Sequence, residues 1–442
     1  MAHGSPAAAP TRPTTPPRPG GRATAPRLPA DGTAAARRTE AGPDTTSHAV
    51  RGAVGQGGTG RGGSARPAVA IAHDYLTQRG GAERVVLAMH RAFPEAPIYT
   101  TLYDPEGTYP EFRDATIITS PLNRVALLRH HHRWALPLLP FAASAMRVPA
   151  DVVLVSTSGW AHGFRTDGVR QVYCHTPARW VYLLEQYLGA APSSSPMGWA
   201  MLCARPLLER WDRRAMGAVK HMVANSTVVR DRIKEVYGRD VEIEHPPHRM
   251  QDDTRTEPVP AMAGFARDGE YFLSVSRLLP YKNVDRVMEA FRRRPERRLV
   301  LVGTGPLEQQ LRQQCPENVL MLSNLTDAQM RGLYRGAMAV VAASHEDFGI
   351  TPLEGFAFGR PTLALRGGGY LDTVVPGMTG AFFEEPTPEA IGKVLDRFHP
   401  EDWDQDAIRD HARSFSEERF VRRIRAVVAE LTRLPGHAAA QD

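Results

Sequence analysis

The sequence predicts an α/β protein of two Rossmann-like units facing each other across a cleft. Three observations carry that expectation. Short apolar, β-rich runs recur along the chain with helical stretches between several of them. The pattern comes in two series, and a polar stretch at 249–268 lies between them. Buried runs alternating with helices imply parallel sheets, because parallel strands need a crossover and a helix is the usual one.

The first series opens with AVAIAHD (68–74), an apolar run followed by the glycine loop YLTQRGGAE and an amphipathic helix from about 82 to 93. Further strands are expected near 97–102, 151–156, 170–174 and 220–224. In the second series, strand 271–276 leads to helix 284–294, 298–302 to helix 306–314, and 318–322 to helix 326–336. Strand 338–343 then leads to helix 352–358, with strand 361–365 after it. A last amphipathic helix is expected from about Ser416 to Leu434. The chain thus divides into a tail (1–67), a first domain (68–255), a second domain (256–400), and helices at 401–435 that pack back on the body.

Length allows this division, at roughly 150–200 residues per domain. The chain has 442 residues, 42% hydrophobic and 23% charged, with a formal charge of +6. That charge is local. Residues 1–66 hold nine Arg and three acids, while the remainder balances 45 basic against 45 acidic residues. The body therefore has no bulk electrostatic attraction for nucleic acid. The same 66 residues contain 12 Gly and 9 Pro, a composition that cannot pack a core and reads as disordered. It lacks the apolar segment of a signal peptide and reads as a dispensable extension or a weak tether to an anionic membrane. Three cysteines without a CxxC pair argue for a reducing cytoplasm and against structural zinc. No run reaches the roughly 20 apolar residues of a membrane span, so a cytoplasmic protein is expected, at most peripheral at the inner membrane face.

The most informative stretch is SHEDFGITPLEGFAFGRP, 344–361. Glu346 directly follows the strand at 338–343, so it lies at a carboxyl end. Gly349 permits a tight turn. Thr351 then reads as an N-cap, Pro352 suits the first helical position and Glu354 falls at the third. The N–H groups from Gly349 to Leu353 would converge on the helix start, where a diphosphate fits. The spacing Thr351-x-x-Glu354 is also a capping box, in which the glutamate only satisfies an N–H.

A second feature favours the functional reading. SVSRLLPYKN puts Arg277 and Lys282 just past strand 271–276. Loops at the carboxyl ends of one parallel sheet share an edge, so these cations can meet the helix start bearing Glu354. A guanidinium fork and an ammonium point charge suit a pyrophosphate leaving group, and fixed cations stabilise charge that builds as its bond breaks. In the first domain, Gly80 and Gly81 could let backbone approach a phosphate or sugar, or simply make a turn. His175, in YCHTPARWVY (173–182), sits at another strand end facing the cleft. The tract RHHHRW (129–134) is a poor metal site, because consecutive side chains splay to different faces. GTGPLE (303–308) lacks the third glycine of a dinucleotide fingerprint and follows the wrong strand.

The ordered set GGAE, CHTP, VANS, SRLLPYKN, LVGTGP, EDFGITPLEG and GGGYLDTV resembles the retaining glycosyltransferases of family 4, which have the GT-B fold. The likeness is nearest to bacterial mannosyltransferases that use GDP-mannose in surface polysaccharide assembly, and it covers about 68–430. Glu346 and Glu354 match the family's E-x7-E hallmark. The resemblance implies that Glu354 takes the ribose hydroxyls and Glu346 the transferred sugar. Arg277 and Lys282 would hold the diphosphate, helped by backbone at Phe348, Gly349, Ile350 and Thr351. The resemblance makes 68–255 the acceptor-side domain and 256–400 the nucleotide-sugar-binding one, with Gly80, Gly81 and His175 reaching across from the first domain to the sugar and acceptor. It implies no metal and no cofactor beyond the nucleotide-sugar donor, with proton transfer to the donor phosphate itself. Two departures stand out: Asp372 where relatives often carry Glu, and Asn283 where many have Gly.

The expected function is transfer of a hexose, mannose from GDP-mannose, to a saccharide or lipid-linked acceptor, with a peripheral membrane contact and no nucleic-acid partner. The rivals are a UDP-sugar-dependent transferase of the same fold, a nicotinamide-dependent dehydrogenase, which the missing fingerprint disfavours, and a non-catalytic saccharide-binding scaffold.

Overall fold

The computed structural model describes residues 69–130, 135, 138–184, 193, 196–250 and 255–433. The tail, and most of the histidine tract at 129–134, lie outside the described residues. The described residues belong to one compact unit, Ser64–Asp442.

Two wholly parallel sheets form its frame. The first uses β1 (Val69–His73), β2 (Ile98–Thr100), β3 (Ile117–Thr119), β5 (Val152–Thr157), β7 (Val169–Cys174), β8 (His221–Ala224) and β9 (Glu242–Ile243), in the order β3-β2-β1-β5-β7-β8-β9. Beside it, β4 (Arg147–Val148) and β6 (Arg165–Thr166) make a two-stranded ribbon. The second sheet uses β10 (Tyr271–Val275), β11 (Arg298–Val302), β12 (Val319–Leu322), β13 (Ala339–Ala342), β14 (Thr362–Leu365) and β15 (Gly380–Phe383), in the order β12-β11-β10-β13-β14-β15. Central strands such as VVLVST and AVVA are buried on both faces. Such runs lack alternation because helices cover both sides of a parallel sheet.

Each sheet reverses its strand order once, between β1 and β5 and between β10 and β13. The crevice outside the carboxyl ends at such a reversal is where open α/β sheets take ligands. Expected elements and observed ones agree to within two or three residues at their ends. The short β3, β9 and β15 were not anticipated, since runs of two to four residues give no usable period.

Local sequence explains several helix boundaries. Ser226 caps the Thr227–Tyr237 helix by accepting from the Val229 N–H, and Gly238, at φ 67°, ends it in the left-handed region. Thr326 and Gln329 form a reciprocal capping box on Asp327–Gly336. Asn283 also lies in the left-handed region, at φ 54°. Its amide donates to the Ala343 carbonyl at 2.8 Å, and Asn is among the few residues besides Gly that adopt this conformation readily.

The chain's last helix, Glu417–Thr432, leaves the second sheet and packs on the Gly81–Ala92 helix of the first. Phe420, Ile424, Val428 and Leu431 join Ile71, Val85, Met89 and Leu154 in one apolar cluster. Arg91 pairs with Glu417 at one end of the contact, and Arg419 donates to Glu244 at 2.8 Å nearby. The Phe420 ring meets Tyr173 edge-on, 5.8 Å between centroids. Truncating this fully buried ring, as Phe420→Ala, is expected to cost about 3–5 kcal/mol, read as a lowered denaturant midpoint.

Candidate functional site

Adjacent strands bring the two signature loops of the second domain together. Lys282 follows β10 and Glu346 follows β13, and these strands pair directly across the order reversal. Lys282 Nζ and the Ser344 hydroxyl both donate to Glu346 Oε1. Lys282 also lies 5.1 Å from the Tyr281 ring centroid.

The turn after Glu346 is sterically fixed. Gly349 has φ 79°, and a Cβ there would overlap the Tyr370 ring. Gly368, at φ 63°, and Gly369 likewise press against the backbone of Glu346–Phe348. Gly349 and Gly368 are required by backbone sign as well as by close packing of two loops, and Gly369, at φ −69°, by the packing alone. The Phe348 ring points inward, roughly parallel to His245 at 5.4 Å, so only its backbone remains for a ligand.

The helix that follows spans Thr351–Phe356 and is capped by Ile350 without a side-chain bond. The N-cap expected at Thr351 and its capping box are therefore corrected. Thr351 is the first helical residue, and Glu354 has other partners. Its Oε1 accepts from Arg84 Nη1 at 2.6 Å and its Oε2 from the Tyr334 hydroxyl at 2.7 Å. Glu354 is only 5% exposed. Arg84 comes from the first domain, on the helix that starts at Gly81, and Glu354 pushes its pKa up while burial opposes. Burial pushes the Tyr334 phenol up as well, reinforced by Glu354, so the hydroxyl remains a donor.

Between the two signature glutamates, Asp347 makes the densest contact across the cleft. Arg179 and Arg232 both donate to its carboxylate, Arg232 at 2.9 Å, and the Ser226 hydroxyl donates to its carbonyl. Burial would raise the carboxyl pKa, but the two arginines more than offset it and hold it low. One loop away, Asp372 accepts from the Thr227 N–H at 2.7 Å. Its side chain thus reaches the start of a first-domain helix.

Arg277 does not join this group. It is exposed, and its recorded side-chain contact is the Tyr281 hydroxyl at 3.4 Å. Gly303 and Gly305 sit tightly under the Ser276–Leu278 backbone, which accounts for both glycines through loop packing. Gly81 opens the first-domain helix with free space at its Cβ position, whereas Gly80 makes room for the Glu83 carboxylate. His175 follows β7 and is buried, its Nε2 2.8 Å from the Ser156 hydroxyl.

Arg84, Asp347, Arg179, Arg232, His73 and Ser156 were not singled out from the sequence. His73 carried a readable signal: like His175, it stands at the carboxyl end of a strand. The arginines carried none, because their partners lie in the other domain. No cluster of three or more metal-ligating side chains occurs among the described residues.

Burial, with His73 close by, pushes the His175 imidazole down from 6.5 to about 3. Between those values the folded protein binds fewer protons than the unfolded chain, so stability falls as pH drops below 6.5. The slope from this one group approaches ~1.4 kcal/mol per pH unit. His73 is shifted the other way: burial lowers its pKa, but Glu83 and Asp74 outweigh burial and raise it. Its contribution is complete below 6.5 and is lost as pH rises through the folded value. Denaturant titrations at pH 7 and pH 5 should therefore show less acid sensitivity in His175→Gln than in wild type.

Residues 259–415 match the family of glycosyl transferases group 1, a stretch containing Arg277, Lys282, Glu346 and Glu354. The chain is 28% identical over 212 residues to D-inositol 3-phosphate glycosyltransferase of Frankia alni, covering 42% of this chain and 52% of that one. It is 28% identical over 232 residues to the GDP-mannose-dependent alpha-(1-6)-phosphatidylinositol monomannoside mannosyltransferase of Mycolicibacterium smegmatis, covering 46% and 58%. The chain thus spans about half the length of the curated relatives it matches. Anabaena HepE, solved with UDP and glucose, superposes with a TM-score of 0.58 at 15% identity, over 82% of this chain and 100% of that one. The likeness extends over both sheets, and the fold is GT-B, as expected from the sequence.

Proposed function

We propose that this chain, whose residues 259–415 carry a group 1 glycosyl transferase domain, is a retaining hexosyltransferase that moves mannose from GDP-mannose to a saccharide or lipid-linked acceptor. The observation that carries the reading is the pairing of Lys282 with Glu346 at the order reversal of the second sheet, beside the buried Glu354. Lys282 has three N–H donors and spends one on Glu346. The others can take phosphate oxygens, so one residue links the sugar-side carboxylate to the leaving group. Glu354 keeps lone pairs beyond those used by Arg84 and Tyr334, enough for ribose hydroxyls. Backbone at Phe348, Gly349, Ile350 and Thr351 would complete the diphosphate site, with Arg277 swinging in from the surface. As the sugar–phosphate bond breaks, these cations stabilise the phosphate charge without a metal or other cofactor.

The donor is inferred from relatives. The Mycolicibacterium enzyme is named for GDP-mannose, whereas the Anabaena structure holds UDP and glucose, so a UDP-sugar is the second reading. A panel of GDP-mannose, UDP-glucose, UDP-GlcNAc and dTDP-sugars, followed by thermal shift and nucleotide release, separates them. Silence toward every nucleotide would favour a saccharide-binding scaffold instead. Glu354→Gln should weaken donor binding about tenfold or more. Lys282→Ala should lower kcat by roughly 10²–10³, and Arg277→Ala should lower it too. Unchanged activity in all three variants would remove the site assignment.

The first domain supports a peripheral position at the cytoplasmic face of a membrane. Helices Ala126–His130, Leu139–Ala145 and Pro196–Gly217 supply Leu128, Leu139, Met201, Leu208 and Trp211 to one apolar cluster. Their outer sides still expose Leu127, Phe141, Trp199 and Leu207, Phe141 at 70% and Leu207 at 68%. On the long helix, Trp199, Cys203, Leu207, Arg210 and Arg214 recur every three or four residues and share a side. Arg205, Arg210 and Arg214 are exposed, and no ion pair is recorded for them among the described residues. Exposed apolar side chains beside unpaired arginines fit an anionic bilayer. No described helix is long and apolar enough to cross one. Full-length protein should co-sediment with vesicles containing phosphatidylglycerol more than with pure phosphatidylcholine. Phe141→Glu combined with Leu207→Glu should reduce that binding, and equal binding by both proteins would count against a membrane contact.

A further inference from the structure

Three neighbouring strands of the first sheet end on side chains that touch one another. The register sets His73 beside Ser156 and Ser156 beside Tyr173. The carboxyl ends of β1, β5 and β7 therefore hold His73, Ser156 and His175 in a row. His73 Nδ1 lies 3.0 Å from the Ser156 carbonyl oxygen and 3.1 Å from its hydroxyl. That hydroxyl lies 2.8 Å from His175 Nε2. Behind His73, Glu83 Oε1 stands 3.9 Å from Nε2. All four residues are buried, and His175, the most open of them, is 8% exposed.

An inventory of protons decides which way each bond runs. A carbonyl oxygen only accepts, so His73 Nδ1 must carry a proton. Ser156 has one hydroxyl proton, and a protonated Nδ1 cannot take it. The other partner of that hydroxyl is His175 Nε2, and a bare Nε2 accepts its proton; were Nε2 protonated, the hydroxyl would accept twice and its own buried proton would have no partner among the described residues. The proton of a neutral His175 therefore sits on Nδ1, because the bond at one ring nitrogen sets the state of the other. The charged groups that act on His175 are His73, Asp347 and Arg179, and those that act on His73 are Glu83 and Asp74. Positive charge in this row is favoured on His73, opposite Glu83, and disfavoured on His175.

We propose that Glu83, His73 and Ser156 form an orienting chain that fixes His175 as a neutral imidazole with its proton on Nδ1. His175 then serves the transfer as a hydrogen-bond donor to an oxygen of the bound donor and not as a base. The role in transfer rests on the glycosyltransferase reading; the tautomer does not. His73, Ser156 and Glu83 are positioning residues, each acting through the next. The chain also explains why no partnered general base faces the cleft from this strand: the one imidazole there has its lone pair turned inward, onto Ser156.

Two measurements on the full-length protein test this. In imidazole-¹⁵N-labelled protein near neutral pH, with His175 and His73 assigned through single Gln variants, His175 should show a bare Nε2 and a protonated Nδ1. Ser156→Ala should release that preference so that both tautomers are populated. In turnover assays Ser156→Ala should lower kcat about tenfold with little change in donor KM, and Ser156→Thr, which restores a hydroxyl, should recover most of it. A wild-type His175 protonated at Nε2, or a Ser156→Ala enzyme with wild-type kcat, would overturn the proposal. Wild-type protein inactive toward every donor would count against the transferase reading, and the NMR result would still decide the tautomer.

Discussion

The geometry of the cleft depends on one carboxylate. Asp347 belongs to the second domain but has its partners, Arg179 and Arg232, in the first. Among the described residues neither arginine pairs with an anion on its own side, and Asp347 pairs with no base on its own side. The three groups satisfy one another only while the sheets face each other at this separation. A half-buried pair of this kind gains more than an exposed one, because water screens it less, yet it avoids the full desolvation cost of a sealed interior. Because Asp347 sits next to Glu346 in sequence, whatever sets the domain separation also sets the position of a signature glutamate.

The same economy governs the other charges. Glu346 is held by Lys282 and Glu354 by Arg84, so neither carboxylate is left uncompensated in a region of reduced dielectric. The arrangement is prepared for an anion without being strongly cationic. An incoming diphosphate would find Lys282 already desolvated and oriented, which lowers the reorganisation needed when charge develops.

Much of this was legible in the sequence, and the rest was not for definite reasons. The β–α alternation and the strand-end positions of Lys282, Glu346 and His175 follow from period and turn chemistry, which act over a few residues. Thr351 misled because a Thr-x-x-Glu spacing is locally indistinguishable from a capping box; only the distant Arg84 and Tyr334 decide where the Glu354 carboxylate points. Asp347 was passed over for the same reason, since its meaning lies in Arg179 and Arg232, more than a hundred residues away. Asp372 reverses the pattern: its reach was open in the sequence, and the structure ends it on the Thr227 N–H.

The return of the Glu417–Thr432 helix to the first sheet has a consequence for synthesis. Domains of a nascent chain generally fold in the order they leave the ribosome. Here the first domain is translated early but lacks Phe420, Ile424, Val428 and Leu431 until residues 417–432 have emerged. Its Gly81–Ala92 helix must wait, with its apolar side uncovered, while the entire second domain emerges and folds. Completion of the first domain and closure of the ring of contacts between the two are therefore a single late event. A ribosome that stops short of residue 417 releases a chain whose second sheet is whole and whose first domain is not.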